Sequence, residues 1–283
     1  MTYEELLAAV IASPEDDAPR IAFARHVRSY DPDLARFIEL QLASAAERRV
    51  KRLGRRTVIG AEDRVLLERH VDTWARTIQK YAVRFEYDRG FVTKLVIEPN
   101  LFLEHGEWLY VNAPIRHVGF VKPQEGAFPI DELAASPLLA RLDSLDFTNC
   151  GIADAEIAKL TRSRHLERLR YLDLSWLHLG GQAYEALAAS PATRKALVVV
   201  RSGHNLGAPF PGERYETVGD DRDGNPDMGW SRMSSEGAAL EKKYGYLPWL
   251  HARENGCDAF DAAWYVARGL LPVRTPGEKL TTV

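Results

Sequence analysis

Residues 142–152, LDSLDFTNCGI, and residues 169–179, LRYLDLSWLHL, carry one pattern twice. Leu142 aligns with Leu169, Leu145 with Leu172, Phe147 with Leu174 and Ile152 with Leu179, always at an offset of 27. The correspondence extends outside these runs. Leu133, Leu160 and Leu187 share the offset, as do Ser136, Ser163 and Ser190. Self-similarity at this period is the mark of stacked strand-plus-helix units that bury one continuous core. The expected class is α/β: a short solenoid of parallel strands and convex helices, with a helical domain before it and an irregular, helix-containing cap after it.

The pattern continues in both directions. Ile115, Val118 and Phe120 form a strand 27 residues before Leu142, and Ala196 lies 27 residues after Leu169, with Val199 in the fourth position. Strand starts are thus expected at 115, 142, 169 and 196. Phe91, Val92, Leu95 and Ile97, introduced by Gly90, read as the first strand, and LFLEHGEWLYVNAP as the helix after it. The step from Val92 to Ile115 is only 23 residues, as suits an end unit that must shield the stack from water.

The period resembles that of ribonuclease-inhibitor-like leucine-rich repeats, in which strands line the concave side and helices the convex side. That resemblance places Phe147 and Leu174 inside the stack. It gives Cys150 the turn position that such repeats fill with Asn or Cys, a buried structural role.

Alternation along a strand decides which side chains face outward. With positions 1, 4 and 6 of each unit inside, positions 3, 5, 7 and 8 are expected on the open concave face. Across units these are His117, Ser144, Tyr171 and Val198; Gly119, Asp146, Asp173 and Val200; Val121, Thr148, Ser175 and Ser202; Lys122, Asn149, Trp176 and Gly203. Tyr171, Asp173 and Trp176 fall on one unit beside Asp146, Thr148 and Asn149, with His117 further along. Aromatic anchors beside a few charges are what protein interfaces favour. These seven residues are the candidate partner-binding set, suited to a basic segment of another protein.

The chain before the repeats reads as helices. Thr2 and Glu5 form a candidate capping box ahead of Leu6, Leu7, Val10 and Ile11. Ser13-Pro14 and Asp31-Pro32 each read as a helix start, so three short helices are expected within the first 50 or so residues. The run SPEDDAPRIAFARHVRSYDPDLARFIELQLA resembles the small repeat-companion domain that opens many bacterial leucine-rich-repeat proteins of myxobacteria and planctomycetes. Asp16, Asp17, Pro19, Arg20, Asp31, Pro32, Phe37, Ile38, Leu40 and Gln41 match its pattern. Phe23-Ala24-Arg25-His26-Val27 departs from it, lacking the acid and the Trp of its Tyr-Ala-Asp-Trp-Leu segment. The resemblance covers about residues 4–206 and implies an architecture, with no catalytic residues. It divides the chain into 1–83 (helical companion domain), 84–206 (repeats) and 207–283 (cap).

Composition narrows the function. A net charge of −3 gives no global attraction to nucleic acid or anionic membrane. The basic run RRVKRLGRR at 48–56 has no interleaved aromatic residue, so a solvated helix end and loop is the expectation there. The two cysteines, Cys150 and Cys257, are far apart, which excludes a disulfide scaffold and suits a reducing cytoplasm. The N-terminus lacks the basic start and apolar run of a signal peptide, and no apolar stretch is long enough to span a membrane. Asp221, Asp223, Asn225 and Asp227 alternate as in a calcium loop, but Pro226 and Arg232 stand where that loop needs Gly and Glu. They are expected to form an acidic turn. Residues 235–244 read as a helix, as does DAFDAAWYVARGLL from Asp258. The sequence contains no Gly-Lys-Ser/Thr phosphate loop, no Gly-x-Ser-x-Gly elbow and no His-Glu-x-x-His.

The expected function is therefore non-enzymatic: a cytoplasmic protein–protein interaction module, adaptor or inhibitor, with no cofactor, metal or membrane partner. Two alternatives stand beside it. One is an immunity protein that neutralises a cognate toxin. The other is an enzyme or metal-binding unit in 207–283, with the repeats selecting its substrate.

Overall fold

Thr2 opens helix α1 (Tyr3–Ala12) by a reciprocal cap: Glu5 N donates to Thr2 Oγ1 at 3.2 Å and Thr2 N donates to Glu5 Oε2 at 2.8 Å. Two otherwise orphaned N–H groups are thereby satisfied. Helix α2 (Ala18–Val27) begins at Ala18, not at the Ser13-Pro14 pair. The reason is that Ser13 ends α1, its N–H donating to Ala9 O at 3.1 Å, while the carbonyls of Pro14 and Glu15 serve two arginines. Helix α3 (Pro32–Lys51) does start at Asp31-Pro32, with Leu34 N donating to Asp31 Oδ1 at 2.9 Å, but it runs for 20 residues instead of a short stretch. Helix α4 (Ala61–Trp74) packs beside it, and Trp74 Nε1 donates to the other Asp31 oxygen at 3.0 Å. The computed structural model describes residues 1–51, 60–177, 179–199 and 235–247, without the side chains of 47–51, 197, 199, 235 and 236.

A strand that the sequence reading passed over follows. Residues Ala82–Asp88 (β1) pair antiparallel with Phe91–Ile97 (β2). Arg89 and Gly90 close the hairpin at φ 51° and 86°, the two left-handed residues of a two-residue hairpin turn. The signal was present: Val83, Phe85 and Tyr87 alternate with Arg84, Glu86 and Asp88 ahead of Arg89-Gly90, although no β1 side chain is fully buried. Gly90 is required twice over. Its backbone is left-handed, and a Cβ there would stand 2.4 Å from Ile38 Cγ1.

That close approach seats the hairpin on the helices through an arginine node. Arg20 is fully buried, donates to Pro14 O at 2.8 Å and Arg89 O at 3.3 Å, and lies over the Phe91 ring. Burial and the neighbouring Arg89 charge both disfavour its charged form. Arg89 in turn donates to Glu15 O, Pro14 O and Asp17 Oδ1 at 2.7–3.0 Å, and Gly90 N donates to Gln41 Oε1 at 2.7 Å. Asp17, Arg20 and Gln41, singled out by resemblance, thus lock the hairpin to α2 and α3. The apolar centre beneath them comprises Leu6, Val10, Phe23, Ala24, Val27, Ile38 and Phe91. Each Leu, Val, Ile or Phe side chain among them contributes about 1.5–3 kcal/mol when fully buried.

Helix α5 (Pro99–Asn112) leads to β3 (His117–Phe120), which neighbours β2; Arg116 N donates to Thr93 O at 2.9 Å beside it. The chain divides into compact units at Met1–Gly119 and Phe120–Val283. Within the first of these units the arginine node ties the hairpin to the helices.

The second unit alternates short helices and strands: α6 (Ile130–Ala135), a 3₁₀ turn (Pro137–Arg141), β4 (Ser144–Asp146), α7 (Asp154–Leu160), β5 (Tyr171–Asp173), α8 (Gly181–Ala189), α9 (Pro191–Lys195), β6 (Leu197–Val199) and α10 (Ser235–Tyr244). The last matches the helix expected at 235–244. Strands β4, β5 and β6 pair in parallel, so the chain is α/β. Ser144 pairs with Tyr171, Leu145 with Leu172 and Asp146 with Asp173, each at the offset of 27. Leu133, Leu160, Leu187, Leu145, Leu172, Phe147 and Leu174 are all fully buried.

The next pairing is offset by one residue: Leu172 pairs with Val198, not with Val199. The connection differs in winding. After Ser190 it is α-helical, with Arg194 N donating to Ser190 O, whereas after Ser163, on the way from β4 to β5, the chain runs through turns without a helix. A different winding brings the chain to the sheet after a different number of residues. Among the described residues, no helix is long and apolar enough to cross a membrane. The basic run 48–56, the calcium-like run 221–232, Cys257, His178, the concave positions Val200, Ser202 and Gly203, and the helix expected from Asp258 all lie outside the described structure or its described side chains.

Candidate functional site

Two successive turns at the ends of β4 and β5 share one construction. Thr148 N donates to Asp146 Oδ1 at 2.9 Å, and Ser175 N donates to Asp173 Oδ1 at 2.9 Å. Each Asp thereby folds its own turn. The next residues, Asn149 and Trp176, are left-handed at φ 56° and 61°, and the chain then dives inward through Cys150 and Leu177, both buried. The turns are also joined to each other. Phe147 N donates to Asp173 O at 2.8 Å and Asn149 N to Ser175 O at 3.0 Å, which carries the ladder past the ends of the strands.

The left-handed step throws Asn149 and Trp176 outward, and Trp176 is 50% accessible. Lys122, one offset before Asn149 and without the left-handed step, is exposed as well. A Cβ on Gly151 would meet the Lys122 stem at 3.8 Å, so Lys122 lies against the turn that carries Asn149. A bulky residue in the left-handed region costs on the order of 1–3 kcal/mol and persists only where its surroundings enforce it. Here the Asx turn and the ladder bonds do so.

The strand face itself departs from expectation. Tyr171 and Asp173 are 9% and 6% accessible, and Ser144, Ser175 and Val198 are buried with them. The outward alternation presumed one wet face, but parallel strands with short helical crossovers are commonly covered on both. Tyr171 OH donates to Asp173 Oδ2 at 2.6 Å, so with Ser175 N on Oδ1 both carboxylate oxygens are engaged internally. Of the seven residues expected to meet a partner, Asn149 and Trp176 are exposed, Asp146 and Thr148 are half-buried, and Tyr171 and Asp173 are interior. His117 is half-buried in the first unit. Lys122 joins the exposed set; its place in the same column as Asn149 and Trp176 was the signal for it.

Cys150 supports the turn from inside. Its Sγ donates to Phe120 O at 2.9 Å, and burial, with Asp146's charge second, pushes the thiol pKa up to about 12. A thiol held protonated this way is no nucleophile at neutral pH. Among the described residues, no group of three or more His, Cys, Asp or Glu side chains could hold a metal ion. Compared with family models, curated proteins and solved structures, the chain finds no match.

Proposed function

We propose that the protein is a non-enzymatic, cytoplasmic interaction module that docks a protein partner on the ridge Lys122–Asn149–Trp176. In this reading the 27-residue units are leucine-rich repeats of a short solenoid, and the N-terminal helices their companion domain. The carrying observation is Trp176: a large aromatic, half exposed, in a conformation that favours Gly or Asn. Exposed aromatics with fixed backbones make interface anchors at small entropic cost. Asp146 stands at the end of the neighbouring strand, and its Oδ2, which has no hydrogen-bond partner among the described residues, supports the choice of a partner segment that carries basic residues beside an apolar one. Adaptor and inhibitor roles both follow from such docking.

The test places a photo-crosslinking amino acid at position 122 or, as control, at the exposed Val111 of the other unit. A partner captured from position 122 alone, whose affinity for purified protein falls with Trp176→Asn, supports the ridge. A partner whose affinity is indifferent to Trp176→Asn sinks it.

A further inference from the structure

A second surface of the Phe120–Val283 unit carries different chemistry, and its reading is independent of the ridge. Between the C-terminal ends of α7 and α8 and the start of α9 lies an open cleft of about 840 Å³. Alanines of these three helices line its floor, and Arg162, Arg164 and Lys195 stand around it with Glu167 as the opposing charge. All three cations are exposed, and among the described residues none of them has a carboxylate partner. Arg164 Nε donates to the neighbouring His165 Nε2 at 3.3 Å, which leaves its two terminal nitrogens for a ligand. In a chain of net charge −3, three cations without a carboxylate partner among the described residues and one acid around one concavity make a local positive site.

The neighbouring polar groups sharpen this. Thr161 and Ser163 also line the cleft, but their hydroxyls donate to Ala158 O and Ala134 O. Arg194, on the same helix as Lys195, donates away to Tyr244 O and Ala189 O. Ser190 is the lining hydroxyl without such a bond among the described residues, although Ser136 and Ser163, its counterparts at the repeat offset, each accept a local backbone N–H. Two guanidinium forks, an ammonium and a free hydroxyl match the oxygens of a phosphate group, which Arg recognises bidentately. The alanine floor suits the flat organic part of a small molecule, and the volume lies in the range of metabolite sites.

We infer that this cleft binds a phosphorylated small molecule, its phosphate held by Arg162, Arg164 and Lys195 and its organic moiety laid on the alanine floor.

The test is isothermal titration of the full-length protein with pyrophosphate at low ionic strength, beside succinate as a carboxylate of similar charge. The expected result is saturable pyrophosphate binding that weakens as salt is added. It should fall by roughly tenfold or more in Arg162→Ala/Arg164→Ala/Lys195→Ala, as loss of charge-assisted bonds predicts. All three side chains are exposed, so the variant keeps its fold, which its far-UV spectrum and Tm check. The control Arg168→Ala/Arg170→Ala, outside the cleft, should bind as wild type does. Absence of pyrophosphate binding, equal loss in the control, or succinate binding as tight as pyrophosphate each overturns the assignment.

Discussion

Asn149 and Trp176 occupy the same left-handed position in two successive, hydrogen-bonded turns, at φ 56° and 61°. Asn tolerates that conformation because its short side chain bonds locally; an indole gains no such relief. Trp176→Asn should therefore raise stability by about 1 kcal/mol, which is about 2–4 °C in Tm for a protein in this size range. The same variant should lose the partner by roughly tenfold or more if the indole is the anchor. Thermal unfolding and titration on one sample decide both points. A fall in Tm would mean that packing, not docking, retains the Trp.

Tyr171 and Asp173 should behave as structure, not as contact residues. Tyr171→Phe removes the 2.6 Å bond to Asp173 Oδ2 and leaves a buried carboxylate oxygen short of a donor, at about 1–2 kcal/mol. Asp173→Ala also frees Ser175 N and should cost about 2–3 kcal/mol. Urea denaturation measures both. Partner affinity, taken where the variants are fully folded, should be unchanged; a selective loss of affinity would return these residues to the interface.

How far the sequence was legible depended on which physical signal each residue carried. Leu145, Leu172, Phe147 and Leu174 were readable because an apolar side chain at a fixed period has one reason to be there, and all are buried. Tyr171 and Asp173 were misplaced because alternation tells two faces apart but not whether the second face is wet. Their pairing through Tyr171 OH satisfies polar atoms that looked solvent-bound. Strand β1 does carry a strand's alternation, with Val83, Phe85 and Tyr87 between Arg84, Glu86 and Asp88, and its left-handed turn was announced by Arg89-Gly90; none of its side chains is fully buried, so no core position marks it. The cleft escaped for another reason: Arg162 and Arg164 end one unit and Lys195 belongs to the next, and only the fold sets them around one concavity.

Gly90→Ala should be among the most damaging single methyl additions available. It adds a Cβ 2.4 Å from Ile38 Cγ1 and 2.9 Å from Ile38 Cα at a position with φ 86°. Ile38 is fully buried and its backbone is helical, so neither can retreat cheaply. Left-handed strain and overpacking together should cost about 3 kcal/mol. Gly126→Ala is the control, since it shares a positive φ but would meet nothing within 4 Å. Equal losses of Tm in the two variants would show that the docking of hairpin on helix is loose.

Cys150 should resist alkylation in the native state. A thiol pKa pushed up to about 12 from the ordinary 9.0 lowers the thiolate fraction by about a thousandfold at pH 8, before access is counted. In a Cys257→Ser background, iodoacetamide labelling followed by mass should be slow in buffer and fast in urea. Prompt native labelling would show that the turn carrying Asn149 opens readily.

Tyr87→Phe should stabilise the first unit. The ring packs edge-on against Phe37 at 5.3 Å between centroids, but its hydroxyl is buried and has no hydrogen-bond partner among the described residues. Removing an unsatisfied buried hydroxyl while keeping the ring returns about 1 kcal/mol. The pH dependence gives the signature. Burial holds this phenol above its usual value of 10.0, so above that pH the unfolded chain loses a proton that the folded chain keeps. Wild-type stability must then fall with rising pH by up to about 1.4 kcal/mol per unit from this group, while the Phe variant escapes that loss. The stability gap between the two should therefore be constant from pH 7 to 9 and widen above 10. A gap that stays flat would show that water reaches the hydroxyl in solution.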